Sequence, residues 1–446
     1  MINYHKLNSL FKKENFESCL KLIQKEVEKI IYNPKYTAKI FFDSKLDDLC
    51  KKIGGEIQPP NKNSASLKNT DIYIVSRLDE IGGGSKMLYD MIKCSTRKHI
   101  ILATDILPSS VISKNNFIKC NQDTLVKKIQ FIKQFIYKKK IKNIWLLNAH
   151  QDSVAIAACA SLDKEIRVNY IHHCDHNLAL GATIKKFKHY DPHVSGFNNC
   201  KKKNIKNSYI PLISTDYGKS NVLFNAKKIK TCTVANYNKF LLPYHKSYFE
   251  LIPSLLKEKY ITHYHVGRLN IIQLFKIYIN LLLNNISLKK FIYVPNNKNI
   301  WKFLKKNKIH FLISSFPQSA YKTIIESMGC GVPVTIHENT ISKILSGSDI
   351  VSKYCPSWKN YNDIIKFFRT ISTTEYKLIA YKCREKYKKH HSTIILKKFF
   401  NKKFFIFPPP IEKDYYLQKI ENKYNLIQEL EIYLINSARL LRKYFI

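Results

Sequence analysis

The sequence predicts an α/β protein with two doubly wound lobes, preceded by a helical segment and followed by a long helix. Three observations support this class. Short apolar runs alternate with amphipathic stretches of helical period over residues 71–173, and the same alternation starts again near residue 229. The first 60 residues show helical spacing only. The chain of 446 residues suits two or three domains and contains no long tract of Pro, Ser and Gly.

The N-terminal segment, residues 1–62, is predicted to be helical. Its apolar residues recur at spacings of three and four, as at Leu20, Ile23 and Val27. The stretch "KLDDLCKKIGGEI" predicts a further helix that ends at its two glycines. The composition of "PPNKNSASLKN" then predicts a loop before the first lobe.

The first lobe, residues 68–222, is predicted to be Rossmann-like. Its strand candidates are short apolar runs with polar borders: "DIYIVS", "HIILATDI", "NIWLLNAH" and "IRVNYIHH". The helix candidates between them are "GGGSKMLYDMIKC", "LVKKIQFIKQFIYKKK" and "SVAIAACASL". Short apolar strands that alternate with helices indicate a parallel sheet covered on both faces.

The second lobe, residues 228–405, repeats this pattern. Its strand candidates are "KTCTVANYN", "YITHYHVG", "KKFIYVP", "IHFLISSFP" and "VPVTIH". Amphipathic stretches such as "SYFELIPSLLKE" and "YKTIIESMGCG" lie between them. Residues 411–446 follow as one long amphipathic helix, which we expect to pack back on the body of the protein.

The net charge is +42, from 75 basic and 33 acidic residues. An abundance of Lys, Asn, Ile, Phe and Tyr is typical of an AT-rich genome and explains most of this excess. A positive surface would also attract a nucleotide, a nucleic acid or an anionic membrane. The basic residues are spread along the chain, with no concentrated arm, so nucleic acid is not an expected partner.

Eleven scattered cysteines without a C-x-x-C pair indicate a reducing compartment. The N-terminus lacks the apolar core of a signal peptide, and no apolar run is long enough to span a bilayer. We therefore expect a cytoplasmic protein. Peripheral contact with the inner face of a membrane stays open.

Candidate ligand-binding residues follow the predicted strands, because ligands of open parallel sheets bind beyond the carboxyl ends of the strands. In "SSFPQSAYKTIIESMGCGVPV", Lys322 and Thr323 lie in the first turn of a predicted helix, where free amides favour a diphosphate. Glu326, one turn further on, could accept both hydroxyls of a ribose. Gly83 and Gly84 begin another helix after a strand and could admit an anion. An ordinary crossover helix and a tight turn are the alternatives.

A histidine cluster stands in "YIHHCDHNLALG" at the end of a predicted strand. Alternation along a strand would place His172 and His176 on one face, and His173 and Asp175 on the other. Histidine is a general base near neutral pH, and a carboxylate can fix its tautomer. We therefore predict His173, Asp175 and His176 as catalytic residues, with His172 beside them.

Two other interpretations of this cluster stay open. Cys174 and His176 precede His189 and His193 at a spacing that imitates a zinc finger, and thiolate with imidazole suits zinc. A finger normally has two cysteines, however, so no metal site is predicted. With 15 histidines in the chain, some of these are also expected to be ordinary core or surface groups.

The segment "FLISSFPQSAYKTIIESMGCGVPVTIHEN" resembles the donor-binding segment of glycosyltransferases with the two-lobed GT-B fold. Many retaining members have two glutamates separated by seven residues. Here Glu326 matches the second, whereas Gln318 stands at the first. The segment is also similar to O-GlcNAc transferases and to the bacterial cytoplasmic N-glycosyltransferases of adhesins, which use an acidic residue on this helix to hold uridine diphosphate.

Three further stretches extend the resemblance over roughly residues 70–370. "TVANYNKF" resembles the loop in which a lysine meets the donor phosphates, and Lys239 matches that lysine. "HYHVGRL" resembles the strand beside the nucleotide base, and "GGGSKMLYDMI" resembles the glycine loop of the first lobe. The resemblance implies that no metal ion is needed. Lys239 and Lys322, with Arg268 as a third candidate, would then neutralise the leaving diphosphate.

The resemblance implies a glycosyltransferase that moves a sugar from a nucleotide-diphosphate donor to a cell-surface glycan, a lipid-linked acceptor or a protein. The donor is expected on the second lobe and the acceptor on the first, with the reaction in the cleft between them. No cofactor is expected. The alternatives are a sugar-nucleotide epimerase of the same fold and a non-enzymatic basic protein that binds nucleic acid.

Overall fold

The structure is a computed structural model that describes most of the chain. The described residues are 2–33, 36–58, 69–79, 82–106, 116–242, 244–339, 341–401 and 406–412. The long helix predicted for residues 411–446 lies outside them from residue 413 onward. The loop predicted for residues 59–69 lies almost wholly outside them.

The chain forms two compact units. Unit 1 comprises Met1–Pro211 and Leu396–Pro408, and unit 2 comprises Leu212–Ile395 and Pro409–Ile446. Unit 2 therefore begins before the boundary at residues 222–228 that the sequence predicts. The physical reason is that three consecutive carbonyls, those of residues 212–214, are bound by unit 2. They accept hydrogen bonds from His391, Lys322 and Tyr387, respectively.

The N-terminal segment is helical, as predicted. Its helices are α1 (Tyr4–Lys12), α2 (Phe16–Tyr32) and α3 (Ser44–Glu56). Each begins after a residue whose side chain accepts a hydrogen bond from a first-turn amide: Asn3, Asn15 and Asp43. These caps satisfy amide groups that a helix leaves without an internal partner.

The prediction that glycines end α3 is wrong, because the helix continues through Gly54 and Gly55 to Glu56. A Cβ atom at Gly54 would lie 2.0 Å from the carbonyl oxygen of Ala157, whereas one at Gly55 would meet nothing within 4 Å. Gly54 therefore allows α3 to pack closely on the helix that contains Ala157. Gly54 is therefore needed for close contact between two helices and does not form a turn.

Unit 1 contains a seven-stranded parallel sheet in the order β3-β2-β1-β4-β5-β6-β7. Its strands are β1 (Thr70–Arg77), β2 (Lys98–Ile106), β3 (Phe117–Lys119), β4 (Asn143–Leu147), β5 (Arg167–Ile171), β6 (Lys188–Asp191) and β7 (Asn207–Tyr209). Its helices are α4 (Gly83–Cys94), α5 (Leu125–Lys138), α6 (Ser153–Ala160) and α7 (Val194–Lys202). The strand order reverses between β1 and β4.

Unit 2 contains a six-stranded parallel sheet in the order β10-β9-β8-β11-β12-β13. Its strands are β8 (Ile229–Val234), β9 (Ile261–Val266), β10 (Phe291–Val294), β11 (Phe311–Ile313), β12 (Val334–His337) and β13 (Ser357–Trp358). Its first helices are α8 (Tyr248–Leu256), α9 (Ile271–Leu283), α10 (Ile300–Lys306), α11 (Tyr321–Cys330) and α12 (Lys343–Ser346). The order reverses between β8 and β11, as in dinucleotide-binding sheets.

Three further helices complete the described chain: α13 (Tyr361–Thr370), α14 (Thr373–His390) and α15 (Thr393–Phe400). The predicted class, α/β with two doubly wound lobes, is confirmed. The core of unit 1 explains the wholly apolar sequence of α6, since every one of its residues is buried among α2, α3, α5 and the sheet. Within the described residues, no helix is both long and apolar enough to cross a bilayer.

Candidate functional site

The strand order of unit 2 reverses between β8 and β11, and a ligand crevice is expected beyond the carboxyl ends of these two strands. Two adjacent strands whose connections leave toward opposite sides open a gap at this edge of the sheet. The residues that follow β8, β9 and β11 border this gap. The predicted donor-binding residues Lys239, Arg268 and Lys322 all belong to these segments or to α11.

The loops after β8 and β9 are held closely together at Gly267. This residue has φ +127°, and a Cβ atom on it would lie 2.2 Å from the carbonyl oxygen of Ala235. The side chain of Asn236 accepts a hydrogen bond from the amide of Arg268 at 3.0 Å. Lys239 follows in a short 3₁₀ turn and is half-buried. Gly267 and Asn236 thus position the loop that carries Lys239.

A buried chain of hydrogen bonds supports this loop from below. The hydroxyl of Tyr248 lies 3.0 Å from Nε2 of His263 and 2.7 Å from Nδ1 of His265. Nε2 of His265 in turn lies 3.1 Å from the carbonyl oxygen of Ala235, so it donates to the end of β8. Phe240, from the 3₁₀ turn, stacks on Tyr248 with ring centroids 4.6 Å apart. Polar and aromatic contacts therefore determine where the loop after β8 lies.

The loop between β11 and α11 is bound at both ends. The hydroxyl of Ser319 donates to the carbonyl of Ser346 at 2.6 Å, and the amide of Ser319 bonds to the carbonyl of Leu345. The side-chain amide of Asn339 donates to the carbonyl of Pro317 at 2.6 Å. These contacts fix the direction in which α11 begins, at the edge of the crevice.

Helix α11 begins after Ala320, which provides no side-chain cap. Thr323 is half-buried, and its hydroxyl donates to the carbonyl of Ala320 at 2.7 Å. Glu326 lies one turn further on and is only 5% exposed. Lys322 is also buried, and its ammonium group donates to the carbonyl of Ile213. Arg268 is exposed, and its Nε donates to the side chain of Asn296 at 3.1 Å.

Because unit 2 contains several buried histidines, we expect the free energy of unfolding to fall as the pH is lowered. Burial lowers the pKa of His265, His337 and His391 to about 3, and it lowers that of His263 well below 6.5. An unfolded chain binds protons at these histidines below about pH 6.5, whereas the folded chain does not, so stability is lost as the pH falls. Each histidine contributes a slope of up to about 1.4 kcal/mol per pH unit.

Urea unfolding between about pH 7.5 and about pH 4.5 tests this prediction. This range lies mostly above the ordinary pKa of carboxylates, about 4, so the histidines dominate it. We expect the urea midpoint to fall steadily below about pH 6.5. The free energy of unfolding should fall with pH by more than the uptake of one proton would cause. A midpoint that stays constant down to about pH 5 would contradict the prediction.

The corresponding edge of unit 1 is organised by Asp152. One of its carboxylate oxygens accepts hydrogen bonds from Ser76 at 2.5 Å and from Thr104 at 2.7 Å. Its other oxygen caps α6 by accepting from the amide of Ala155 at 2.9 Å. One buried carboxylate therefore joins the ends of β1 and β2 to the start of α6. No sequence motif marks it, since it depends on three separate segments meeting.

The predicted catalytic residues lie on a turn. Strand β5 ends at Ile171, so the strict alternation of faces expected for residues 172–176 is wrong. His173 lies near Gly84 at the start of α4, where a Cβ atom would be 3.6 Å from Nε2 of His173. A Cβ atom on Gly83 would meet no other atom within 4 Å. Nδ1 of His173 donates to the carbonyl of Ile171 at 3.4 Å, which leaves Nε2 as the basic nitrogen.

Burial lowers the pKa of His173 to about 4. The imidazole is therefore neutral at physiological pH and able to accept a proton. His176 is half-buried, and its ring lies edge-on to His150 with centroids 5.2 Å apart. Asp175 is buried and accepts from Nδ1 of His193 at 2.9 Å, so its carboxylate orients His193.

The side chain of His172 contacts a residue of β6. It is 1% exposed, and its Nδ1 is 2.9 Å from Asp191 on β6. The finger-like spacing does not form a metal-ligand group in the described structure. Its residues are Cys174, His176, His189 and His193. Within the described residues, the group of metal-ligand type is His172, His189, Asp191 and Cys200.

Solved glycosyltransferase structures resemble the fold of this chain over about three quarters of its length. Anabaena Alr3699/HepE in complex with UDP and glucose matches with a TM-score of 0.57 at 12% identity, over 74% of this chain and 98% of that one. A glycosyltransferase from Rickettsia africae matches with a TM-score of 0.56 at 10% identity, over 76% and 98%. The lipopolysaccharide outer core galactosyltransferase WaaB, in its apo form, matches with a TM-score of 0.54 at 12% identity, over 74% and 98%.

These similarities show that the chain has the GT-B fold, which confirms the predicted resemblance at the level of fold. No protein-family model matches the sequence, and no curated protein matches it. The likeness is therefore one of tertiary structure, at identities too low to carry over the role of any single residue.

Proposed function

We propose that this protein is a glycosyltransferase that takes its sugar from a nucleoside-diphosphate donor bound to unit 2. The observation that carries the proposal is the start of α11. This helix begins without a side-chain cap at the point where the strand order of unit 2 reverses. Its first-turn amides and its dipole favour an anionic ligand there. The structural neighbours support a sugar nucleotide, because HepE was solved with UDP and glucose.

In this proposal the diphosphate lies at the start of α11, and Lys239 supplies a full positive charge from the loop after β8. Thr323 is in the first turn, and Glu326 would accept hydrogen bonds from the ribose hydroxyls. Lys322 would share the phosphate neutralisation with Lys239, and its ammonium group donates to the carbonyl of Ile213. Stabilising the departing diphosphate is the electrostatic part of the catalysis.

The proposed reaction balances with the residues of this chain alone. The oxygen of an acceptor hydroxyl forms a bond to the anomeric carbon, and the bond from that carbon to the diphosphate oxygen breaks. Nε2 of His173 accepts the proton of the hydroxyl, and the nucleoside diphosphate leaves with the bonding electrons. The transfer step therefore uses no metal ion in this proposal.

The acceptor is proposed to be a cell-surface glycan, a lipid-linked sugar or a protein, bound by unit 1. A galactosyltransferase of the lipopolysaccharide outer core among the neighbours supports the glycan class. Contact with a membrane surface is supported by α9, on which Ile271, Phe275 and Leu283 are more than half exposed. Lys276 and Lys289 are close to these apolar residues in the sequence. Apolar and basic side chains together suit an anionic bilayer.

Nucleotide binding tests the proposal directly. We expect UDP, GDP or ADP to raise the melting temperature, since a ligand at 100 times its Kd adds about 2.7 kcal/mol to stability. Lys239→Ala should weaken this binding about 10-fold, because a charge-assisted contact is lost. Lys228→Ala is the matched control, since Lys228 is exposed and lies directly before β8, whereas Lys239 lies in the loop after it.

Product analysis then separates transfer from isomerisation. Incubation with sugar nucleotides and a cell-envelope extract should yield a new glycoside and free nucleoside diphosphate. An isomerised sugar nucleotide would indicate an epimerase of the same fold. If no nucleoside diphosphate raises the melting temperature, the proposed function is wrong.

A further inference from the structure

Four side chains with metal-binding atoms meet in the core of unit 1, and we call them the β6 cluster: His172, His189, Asp191 and Cys200. They come from the end of β5, from β6 and from α7. None is more than 4% exposed, and one ligand atom from each lies within 4.8 Å of all the others. The proposed sugar transfer uses none of these atoms.

Five of the six distances between the ligand atoms are close to those of a tetrahedral metal site. Sγ of Cys200 lies 3.6 Å from Nδ1 of His172, 3.7 Å from Nε2 of His189 and 3.5 Å from Oδ1 of Asp191. Bond lengths of zinc to sulfur and nitrogen predict an edge of about 3.6 Å for a tetrahedron. The carboxylate oxygen lies 2.9 Å and 3.1 Å from the two imidazoles, where a tetrahedral edge is about 3.3 Å.

Two of the four side chains, those of His189 and Asp191, also have outer contacts that suit a metal ligand. Nδ1 of His189 donates to the carbonyl of Ala182 at 3.2 Å, which leaves Nε2 as the nitrogen with a lone pair facing the cluster. The other carboxylate oxygen of Asp191 accepts from the side chain of Asn207 at 2.6 Å. Ligand histidines and carboxylates are held in this way by second partners, which orient them toward the ion.

Charge favours a divalent cation in this position. Asp191 is fully buried, and a buried carboxylate is costly unless cations or hydrogen bonds compensate it. One Zn²⁺ with one thiolate, one carboxylate and two neutral imidazoles has no net charge. A set of two nitrogens, one oxygen and one sulfur in tetrahedral spacing is the donor chemistry that zinc prefers.

We propose that the β6 cluster binds one structural Zn²⁺. All four positions are filled by protein ligands, so the ion is closed to substrate and serves to hold structure. Binding releases the proton of the Cys200 thiol, since the thiolate is the ligand. The ion joins β5, β6 and α7 directly before His173, and thereby anchors the turn that carries the histidine motif. This proposal stands independently of the sugar transfer.

Metal content tests the proposal on the full-length, untagged protein. Elemental analysis should find about one zinc per chain in protein purified without chelators. Cys200→Ala should reduce zinc at least 10-fold. Cys159→Ala is the matched control, because Cys159 is an equally buried cysteine of unit 1 outside the cluster, and it should retain the ion.

Replacing the metal by Co²⁺ in the wild-type protein tests the proposal even if Cys200→Ala fails to fold. Protein stripped of metal and supplied with Co²⁺ should show a thiolate-to-cobalt charge-transfer band and the d–d spectrum of a tetrahedral ion. Added Zn²⁺ should abolish both signals and raise the melting temperature. Folded wild-type protein that carries no zinc and gives no such band would overturn the proposal. The four side chains would then form only a hydrogen-bonded network.

Discussion

Replacing His173 by glutamine is expected to lower the turnover number of sugar transfer about 10²- to 10⁴-fold. Glutamine keeps a similar size and can accept a hydrogen bond, but it cannot take a proton. Nucleoside-diphosphate affinity should be unchanged, because the residues proposed to bind the donor belong to unit 2. Steady-state kinetics with a sugar nucleotide and thermal shift with the matching nucleoside diphosphate measure the two effects separately.

The matched control for this experiment is His99→Gln. His99 is also a half-buried histidine of unit 1, but it lies at the amino end of β2, where its Nε2 contacts the side chain of Asn116 at 2.9 Å. The wild-type pH profile provides a second check. With the pKa of His173 lowered to about 4, the acid limb of kcat/KM should lie near that value. An unchanged turnover number for His173→Gln would remove His173 from the mechanism.

Replacing Gly267 by alanine is expected to destabilise the protein by roughly 2–4 kcal/mol and to abolish stabilisation by nucleoside diphosphate. The methyl group would collide with the carbonyl of Ala235, which also accepts the hydrogen bond of His265. At φ +127°, a side chain adds backbone strain. The end of β8 must move, and the loop with Lys239 moves with it. Urea unfolding measures the loss.

Gly218→Ala separates the collision from the strain. Gly218 also has a positive φ, +83°, but a Cβ atom there would meet only the flexible end of Lys305 at 3.4 Å. We expect this variant to lose about 1–2 kcal/mol and to keep its response to nucleotide. Equal losses at the two glycines would show that the close approach at Ala235 is unimportant.

The histidine motif shows which features a local sequence pattern can predict and which it cannot. The sequence placed "HHCDH" at the carboxyl end of a strand, and the structure confirms that β5 ends directly before His172. The pattern could not show that the chain turns there, so the alternation of faces was wrong. Nor could it show that His172 joins Asp191 and Cys200, because those partners come from β6 and α7, as many as 28 residues away.

The segment proposed to bind the donor illustrates the same limit in unit 2. The start of a helix after a strand, the glycines that end it and the residues around Glu326 are local features, and they were visible in the sequence. The contact between Lys322 and Ile213 spans 109 residues and has no local signal. Gly267 and Asn236 were missed as positioning residues, although a glycine directly after an apolar strand is a recognisable sign of close backbone approach.

The sequence alone determined the class of the fold, because hydrophobic periodicity is set by neighbours along the chain and repeats with every strand and helix. It also predicted which segments follow the carboxyl ends of the strands, since parallel strands all end at one edge. Tertiary structure alone decided which side chains meet. The partners of Lys322, Asp152 and the β6 cluster come from separate segments of the chain, and only the packed chain brings their atoms to bonding distance.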